Sequence, residues 1–436
     1  MSLKHVLVFT LAAGLLVNFG LAGGGGSSSG GSSSSFFSDD SDSSSSFSFS
    51  DDSDSDSYSS GGSASVNVFG LYFAVFFMLT VAGVMVWRFV KSKKEDKVAP
   101  KQRHGELLAA ATGDPIWDEN FLKNYASSLF IKYQSDWSSF NVNNMATYLS
   151  PSYNQHMTLV LTALQLAGRQ NVVNNVTVDS VYIEDIKDNA DNSRDAFSAR
   201  ISFTVDDVIL DTRTNNELSR KHLSGSEVYR FIRSGDSWLL DGIGQLTESA
   251  TMKRRAIELF ASNNGMFYSP DWGHLLLPDR GQIFTNAKYN VSDINNHTIG
   301  VYNGLLVQIY SYLPSPDQTL EYTIAQVNIP KSYGNILVRK KKGGLSGLFG
   351  RPKDMRQLQT EWGEFNEIYE VFATNLELAT SFELLTPTFM EKLAAVGFDV
   401  NLEVADNVIY MYTESNSAQY DTMMSLIHNA FKEMKM

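Results

Sequence analysis

Three clusters of side chains could do chemistry, and their types and spacing decide how far each can be pressed. Seven histidines are scattered along the chain without an H-E-x-x-H pair, so no metal site is written locally. Asp206, Asp207 and Asp211 stand close together behind a run of alternating residues. At a strand's end such a cluster reads as a wet turn; placed in an apolar cavity, a raised carboxylate would act as a base. The third cluster is "RKKKGGLSGLFGRPKDMR", residues 339 to 356. There Arg339, Lys340, Lys341, Lys342, Arg351, Lys353 and Arg356 surround Leu345, Leu348 and Phe349. A solvated charged loop is one reading. The other is contact with anionic lipid, where each Lys or Arg near the surface is worth about 1 kcal/mol and inserted apolar residues add to it.

Several chemistries lack their signatures. No G-x-x-x-x-G-K-[ST] phosphate loop and no G-x-S-x-G elbow occurs, and "GGLSGLFG" lacks the Lys-Ser/Thr that would make it a phosphate cradle. The chain has no cysteine, which excludes disulfides, thiolate metal sites and a cysteine nucleophile. Its net charge of -13 argues against nucleic acid as the main partner. No catalytic, cofactor or metal residue is therefore nominated, and the chain is read as a non-enzyme. With 436 residues, 43% of them hydrophobic, it has material for more than one core.

The elements that must position these clusters begin with two apolar segments. Residues 1–22 carry Lys4 and His5 ahead of Val6 to Ala22, and the small residues Gly20 and Ala22 offer a signal-peptidase site. Cleaved signal and retained helix both stay open. Residues 23–65 are almost all Gly, Ser and Asp, a composition that buries too little apolar surface to offset the entropy of ordering. A spacer is the plain reading; the sharper one has Phe36, Phe37, Phe47, Phe49 and Tyr58 acting as stickers for a partner, and a further alternative is an envelope sensor in which the acidic loop responds to ions or wall polymers.

Within residues 66–90, Val68 to Trp87 is uncharged. About 20 residues at roughly 1.5 Å each match a hydrocarbon core of about 30 Å, so a transmembrane helix is expected. Arg88, Lys91, Lys93, Lys94 and Lys97 follow it, whereas the other flank carries Asp and no Lys or Arg. Positive charge stays inside. The acidic loop is thus expected outside and everything beyond the basic linker, residues 91–113, in the cytoplasm, with Lys91, Lys93, Lys94 and Lys97 as further lipid-contact candidates.

Beyond residue 113 the pattern is α+β. "DPIWDENFLKNYASSLFIKYQSDW" spaces Trp117, Phe121, Tyr125 and Leu129 four apart, which predicts an amphipathic helix. Ser150 and Pro151 read as the cap and first residue of a second helix carrying Met157, Val160, Leu161 and Leu164, with Gly168 as its stop. In "AFSARISFTVDD" Phe197, Ala199, Ile201, Phe203 and Val205 alternate with polar residues, which predicts a strand with one buried face. "VTVDSVYIEDI" before it and a hairpin turning at Ser234-Gly235-Asp236 after it complete a meander, so the helices should cover one face of a curved antiparallel sheet.

The stretches "DPIWDENFL", "LSPSYNQHM" and "GDSWLLDGIGQ", in that order between about Asp114 and Gln245, resemble the Tim forty-four-like family, the C-terminal domain of the mitochondrial import-motor scaffold, which also occurs in bacterial membrane proteins. The resemblance implies a cystatin-like or nuclear-transport-factor-like cone at 114–250, contact with the inner membrane and a scaffolding role without catalysis. A cone of this kind can also host an isomerase or hydratase, which is the alternative from a different class. The mitochondrial family's long partner-binding segment is absent, replaced by an anchor. That puts a role in protein import in doubt. A linking helix is expected within 251–270. Residues 271–436 should form a second α+β domain from "GLLVQIYSYL", "EYTIAQVNI", a short strand at Asn335 to Arg339, a helix capped by Thr386 and stopped by Gly397, the hairpin "VNLEVADNVIYMYT", and a last helix with Met423, Leu426, Ile427, Ala430 and Phe431 on one face. The run "EFNEIYEVFATNLELATSFELLTPTFMEKL" is similar to a bacterial domain of unknown function found behind membrane segments. The expected partners are the membrane itself, anionic lipid and a protein, with self-association open; the expected place is the bacterial inner membrane, soluble parts facing the cytoplasm.

Overall fold

Ser150 shows how closely local chemistry is obeyed. Its Oγ accepts from the Tyr153 N–H at 3.2 Å and donates to Asp241 Oδ1 at 2.7 Å, Pro151 opens the helix, and the chain leaves past Gly168 at φ +68°. This is α2, Pro151–Leu166. Ser150→Ala should cost about 1 kcal/mol in a urea melt, the usual worth of such a cap, and Ser150→Asn much less.

A computed structural model describes residues 102–436, apart from 246–251, 274, 285–292, 315–320, 342–351, 353, 381–382 and 415–418. The expected signal, acidic loop, membrane span and most of the basic linker lie outside the described residues. No described helix is long and apolar enough to cross a membrane. In the portion ending at residue 119, residues 102–113 are helical, and Asp114 opens the short turn Pro115–Trp117 by accepting from the Ile116 N–H at 3.2 Å.

Residues 120–436 carry two antiparallel sheets. The first has the order β1-β2-β3-β4, from Arg169–Lys187, Ala196–Asp211, Glu217–Ser234 and Ser237–Gln245. The hairpin closes at Gly235, φ +61°, between the paired Ser234 and Ser237, as glycine's freedom at positive φ permits. Helix α1, Glu119–Ser138, and α2 cover one face of this sheet. All five alternating residues of β2 are buried there. Phe130 lies 5.0 Å from Phe203 and 5.6 Å from Tyr229, while Phe197 packs 4.5 Å from Phe231 and 4.9 Å from Trp238. Such ring pairs add about 0.5–1.5 kcal/mol each beyond burial.

The α1 stripe differs from the expected one. Leu122, Ala126, Leu129, Phe130, Tyr133 and Trp137 are buried, whereas Phe121 is 44% exposed. A strict four-residue spacing drifts around a helix of 3.6 residues per turn, and mixed steps of three and four hold one face.

β1 is an outer strand with three register shifts against β2, at Asn174/Thr177, Val178/Ser180 and Ile183/Asp185. Asn175 takes φ +49° at the first of them.

The second sheet has nine strands in the order β10-β11-β9-β12-β13-β8-β7-β6-β5. In chain order these are Phe267–Gly273, Asp293–Tyr302, Leu305–Leu313, Tyr322–Asn328, Asn335–Lys340, Arg356–Leu358, Tyr369–Ala373, Asn401–Ala405 and Val408–Glu414. Helices α3 (Met252–Asn263), α4 (Pro387–Ala394) and α5 (Tyr420–Met434) bury one face, with Ile257, Phe260, Phe389, Met423, Ile427 and Phe431 against Val307, Val327, Val338, Leu402 and Met411. The helix expected to link two domains is therefore part of this core, and β5 starts inside the stretch read as a linker. Thr386 caps α4 as expected, but the helix ends at Ala394, ahead of Gly397, which is not in a left-handed conformation.

The opposite face of the large sheet has another character. Alternation puts Gln308, Tyr310 and Tyr312 of β7, Gln326 and Asn328 of β8, Glu403 of β12, and Tyr410 and Tyr412 of β13 on it. Helices α1 and α2, which cover the first sheet, meet β5 of the second through Trp137 stacked on Trp272 at 6.3 Å and His156 stacked on Phe267 at 5.1 Å.

Candidate functional site

Between β5 and β6 the segment Leu275–Phe284 runs across the polar face, and each of its anchors is a named interaction. Buried Arg169, on β1, donates to the Leu275 carbonyl at 3.5 Å. Asp279 pairs with Arg213, and Arg280 pairs with Asp406 at 2.7 Å. The Phe284 ring lies 5.1 Å from Tyr312 and 5.4 Å from Tyr410. Gly281 takes φ +109°, and a Cβ there would meet Phe284 at 3.1 Å and Tyr410 at 3.3 Å. Gly281→Ala should therefore destabilise the chain by about 1–2 kcal/mol and loosen this segment first. Hydrogen exchange of residues 279–284 checks it: protection unchanged from the parent chain would show that the backbone adapts without strain.

A cleft of about 750 Å³ opens along this segment, lined by Asp279, Arg280, Gln282, Asn335, Glu403 and Asp406 among others. That is the size of small-molecule sites, about 300–1,000 Å³. A cavity of about 230 Å³ flanks the same stretch and is lined by Gln308, Gln326, Asn328 and Tyr410. The Asn328 Oδ1 is buried there without a hydrogen-bond partner among the described residues.

Glu403 lines the larger cleft. It is 2% exposed, and its carboxylate accepts from the Gln282 N–H at 2.5 Å and the Ile283 N–H at 3.4 Å. Burial pushes its pKa up to about 7, against the pull of the two backbone donors. Among the described residues no cation pairs with it. A carboxylate that titrates near neutrality is suited to proton transfer, yet both oxygens here are engaged by backbone donors. The arrangement favours holding a segment or a charged group in place.

The sequence-nominated residues are dispersed. Asp206, Asp207 and Asp211 do not form a wet turn: β2 continues through all three, and alternation separates the first two. Asp206 faces outward to His222 Nδ1 at 2.7 Å and Asn175 Nδ2 at 2.6 Å, and the His222 contact holds its carboxyl below the usual range. Asp207 is buried. It accepts from Asn171 Nδ2 at 2.5 Å, Asn171 in turn accepts from Trp137 Nε1 at 2.9 Å, and burial raises the Asp207 pKa to about 6. Asp211 accepts from the Arg213 N–H at 2.8 Å.

Arg339 and Lys340 belong to β9 rather than to the loop after it. Arg339 pairs with Glu370 at 2.9 Å, Lys340 with Asp399 at 3.0 Å, and Lys341 Nζ donates to the Asn366 carbonyl at 2.7 Å. Lys342, Leu348, Phe349, Arg351 and Lys353, with Lys91, Lys93, Lys94 and Lys97, lie outside the described residues. Two histidines are internal. His156 Nε2 meets Ser269 Oγ at 3.2 Å and His297 Nε2 meets Gln308 Oε1 at 3.0 Å, and burial pushes their pKa values down to about 3 and about 4. No group of three His, Asp or Glu among the described residues is placed to hold a metal ion.

No residue of the Glu403 cleft was nominated from sequence. "NLEVA" reads as a strand whose glutamate faces water, and nothing local reveals that Gln282, some 120 positions earlier, covers it.

No family model matches the chain, and no curated protein matches it. Among solved structures, the mycobacterial trehalose monomycolate transport factor A, TtfA, is 14% identical at a TM-score of 0.32, over 42% of this chain and 97% of that one. The intermembrane space region of the chloroplast protein ARC6 is 13% identical at a TM-score of 0.23, over 28% of this chain and 94% of that one.

Proposed function

We propose that the chain is a membrane-anchored binding module or scaffold of the bacterial inner membrane, with its folded part in the cytoplasm, and that residues 114–250 are a Tim forty-four-like domain of cystatin-like or nuclear-transport-factor-like build. The observation that carries the non-catalytic reading is the aromatic packing of Phe130, Phe197, Phe203, Tyr229, Phe231 and Trp238 under α1 and α2. In an enzyme of cone-shaped fold that face would be hollowed for substrate; here rings occupy it. The uncharged stretch Val68 to Trp87 and the cations behind it support the anchor and its direction. A tether of this kind brings Lys91 to Lys97 and the loop after β9 to anionic lipid at high effective concentration, so weak contacts suffice.

Reporter fusions at Met436 of the full chain test the placement. A reporter that works only in the cytoplasm should be active and one that works only in the periplasm silent, with the protein retained in membranes after alkaline extraction. The opposite pattern, or release by alkali, overturns the proposal.

A further inference from the structure

We infer that the cleft beside the Leu275–Phe284 segment receives an organic cation, an ammonium or guanidinium head seated against Glu403. The inference rests on the cleft alone, so the topology proposed above can fail without touching it.

Charge and burial carry the argument. Among the described residues three carboxylates line the cleft, those of Asp279, Glu403 and Asp406, against one lining cation, Arg280. Arg280 is engaged by Asp406 at 2.7 Å, and Asp279 is engaged by Arg213 from outside the lining. That leaves Glu403, 2% exposed, with no counter-cation among the described residues. A buried carboxylate without a positive partner is costly, since backbone donors replace only part of its lost hydration. One of its two donors is moreover distant, at 3.4 Å. A ligand that brings positive charge and N–H donors to the free lone pairs of Glu403 supplies both missing items.

The same geometry narrows the ligand class. The acids do not converge into a metal-holding group, so a bare divalent ion is not the fit. An anion would meet an excess of carboxylate. The amide side chains of Gln282 and Asn335 offer further polar contacts, and Met355 and Phe284 give an apolar wall for the stem that carries the head. The volume, about 750 Å³, admits a whole small molecule or one long basic side chain of a peptide.

Argininamide and 1,5-diaminopentane are the probes, with citrulline amide as the neutral control, titrated calorimetrically into the full chain in detergent at pH 8. At least one cation should bind, about tenfold or more tighter than the control. Glu403→Gln removes the charge and keeps one oxygen acceptor, enough for the nearer Gln282 N–H while its amide NH2 replaces the oxygen 3.4 Å from the Ile283 N–H, and should weaken cation binding by about tenfold or more. Asp406→Asn is the second variant. Asp406 sits at φ +56°, where asparagine is tolerated, and its replacement leaves Arg280 uncompensated in the cleft. Cation affinity should fall there too, by a smaller factor. If neither probe nor a peptide bearing an internal arginine binds the parent chain at millimolar concentration, or if both variants bind as the parent does, the inference is overturned. Binding to a peptide bearing an internal arginine but not to argininamide would locate the cation on a polypeptide partner, and binding to both would point to a free small molecule; either supports the site.

Discussion

Arg233→Ala is expected to destabilise the chain by about 3–5 kcal/mol, the cost of stranding a buried carboxylate. Asp195 closes the connection between β1 and β2, its side chain fully enclosed, with Arg233 Nη1 3.0 Å away. The same residue makes two further bonds: its Oδ1 accepts from the Asn189 N–H at 2.7 Å, and its carbonyl accepts from the Arg233 N–H at 3.0 Å. Arg233 also donates from Nε to the Gly235 carbonyl at 3.0 Å, so the pair ties the β1–β2 connection to the β3–β4 hairpin. Alanine removes the charge-matched donor that Arg233 offers Asp195. Urea melts followed by tryptophan fluorescence measure the loss. Pairing Arg233→Met with Asp195→Asn should recover much of it, because two uncharged groups leave no stranded charge. A loss under about 1 kcal/mol for Arg233→Ala would show the pair to be as weak as an exposed one.

The second large effect belongs to Glu403 and depends on pH. Its pKa rises from 4.5 to about 7 on folding, so the folded chain prefers the protonated form. Stability from this group is fully present below pH 4.5 and is lost as pH rises through about 7, a change of roughly 3 kcal/mol. Glu403→Gln mimics the protonated state. It should match the parent near pH 4.5 and exceed it by roughly that amount at pH 8. Taking the difference between the two chains removes His156 and His297, whose values are depressed and which act in the other direction, stabilising above pH 6.5 and less as pH falls. Parallel curves for parent and variant from pH 4.5 to 8 would mean that Glu403 stays solvated and charged throughout.

The elements were legible where one residue type answers one local demand. Ser150, Pro151 and Gly168 mark α2 because capping, a fixed φ and a left-handed exit each need a specific side chain. Phe197 to Val205 announce β2 because burial on one face imposes alternation, and Met423 to Phe431 announce α5 because burial on one face of a helix imposes steps of three and four. Phe121 misled because a spacing of four is close to the helical repeat without matching it. Asp207 misled because a buried aspartate and an exposed one are the same letter; Asn171 and Trp137, which make its burial tolerable, come from another strand and a helix. The Glu403 cleft was illegible for a stronger reason. A strand of the large sheet and a segment reaching in from between β5 and β6 create it together, so no window of the chain contains it.

The three bulges of β1 bear on how the molecule behaves in a crowd. A bare strand margin invites a neighbour to zip on, rung by rung, and the outcome is fibre growth. Along Arg169–Lys187 the ladder loses step at Asn174, Val178 and Ile183, so a foreign strand laid alongside would fall out of phase within a few residues. The protein thereby keeps a long strand for its own architecture while denying it to others, a protection against clumping written into the backbone rather than into surface charge.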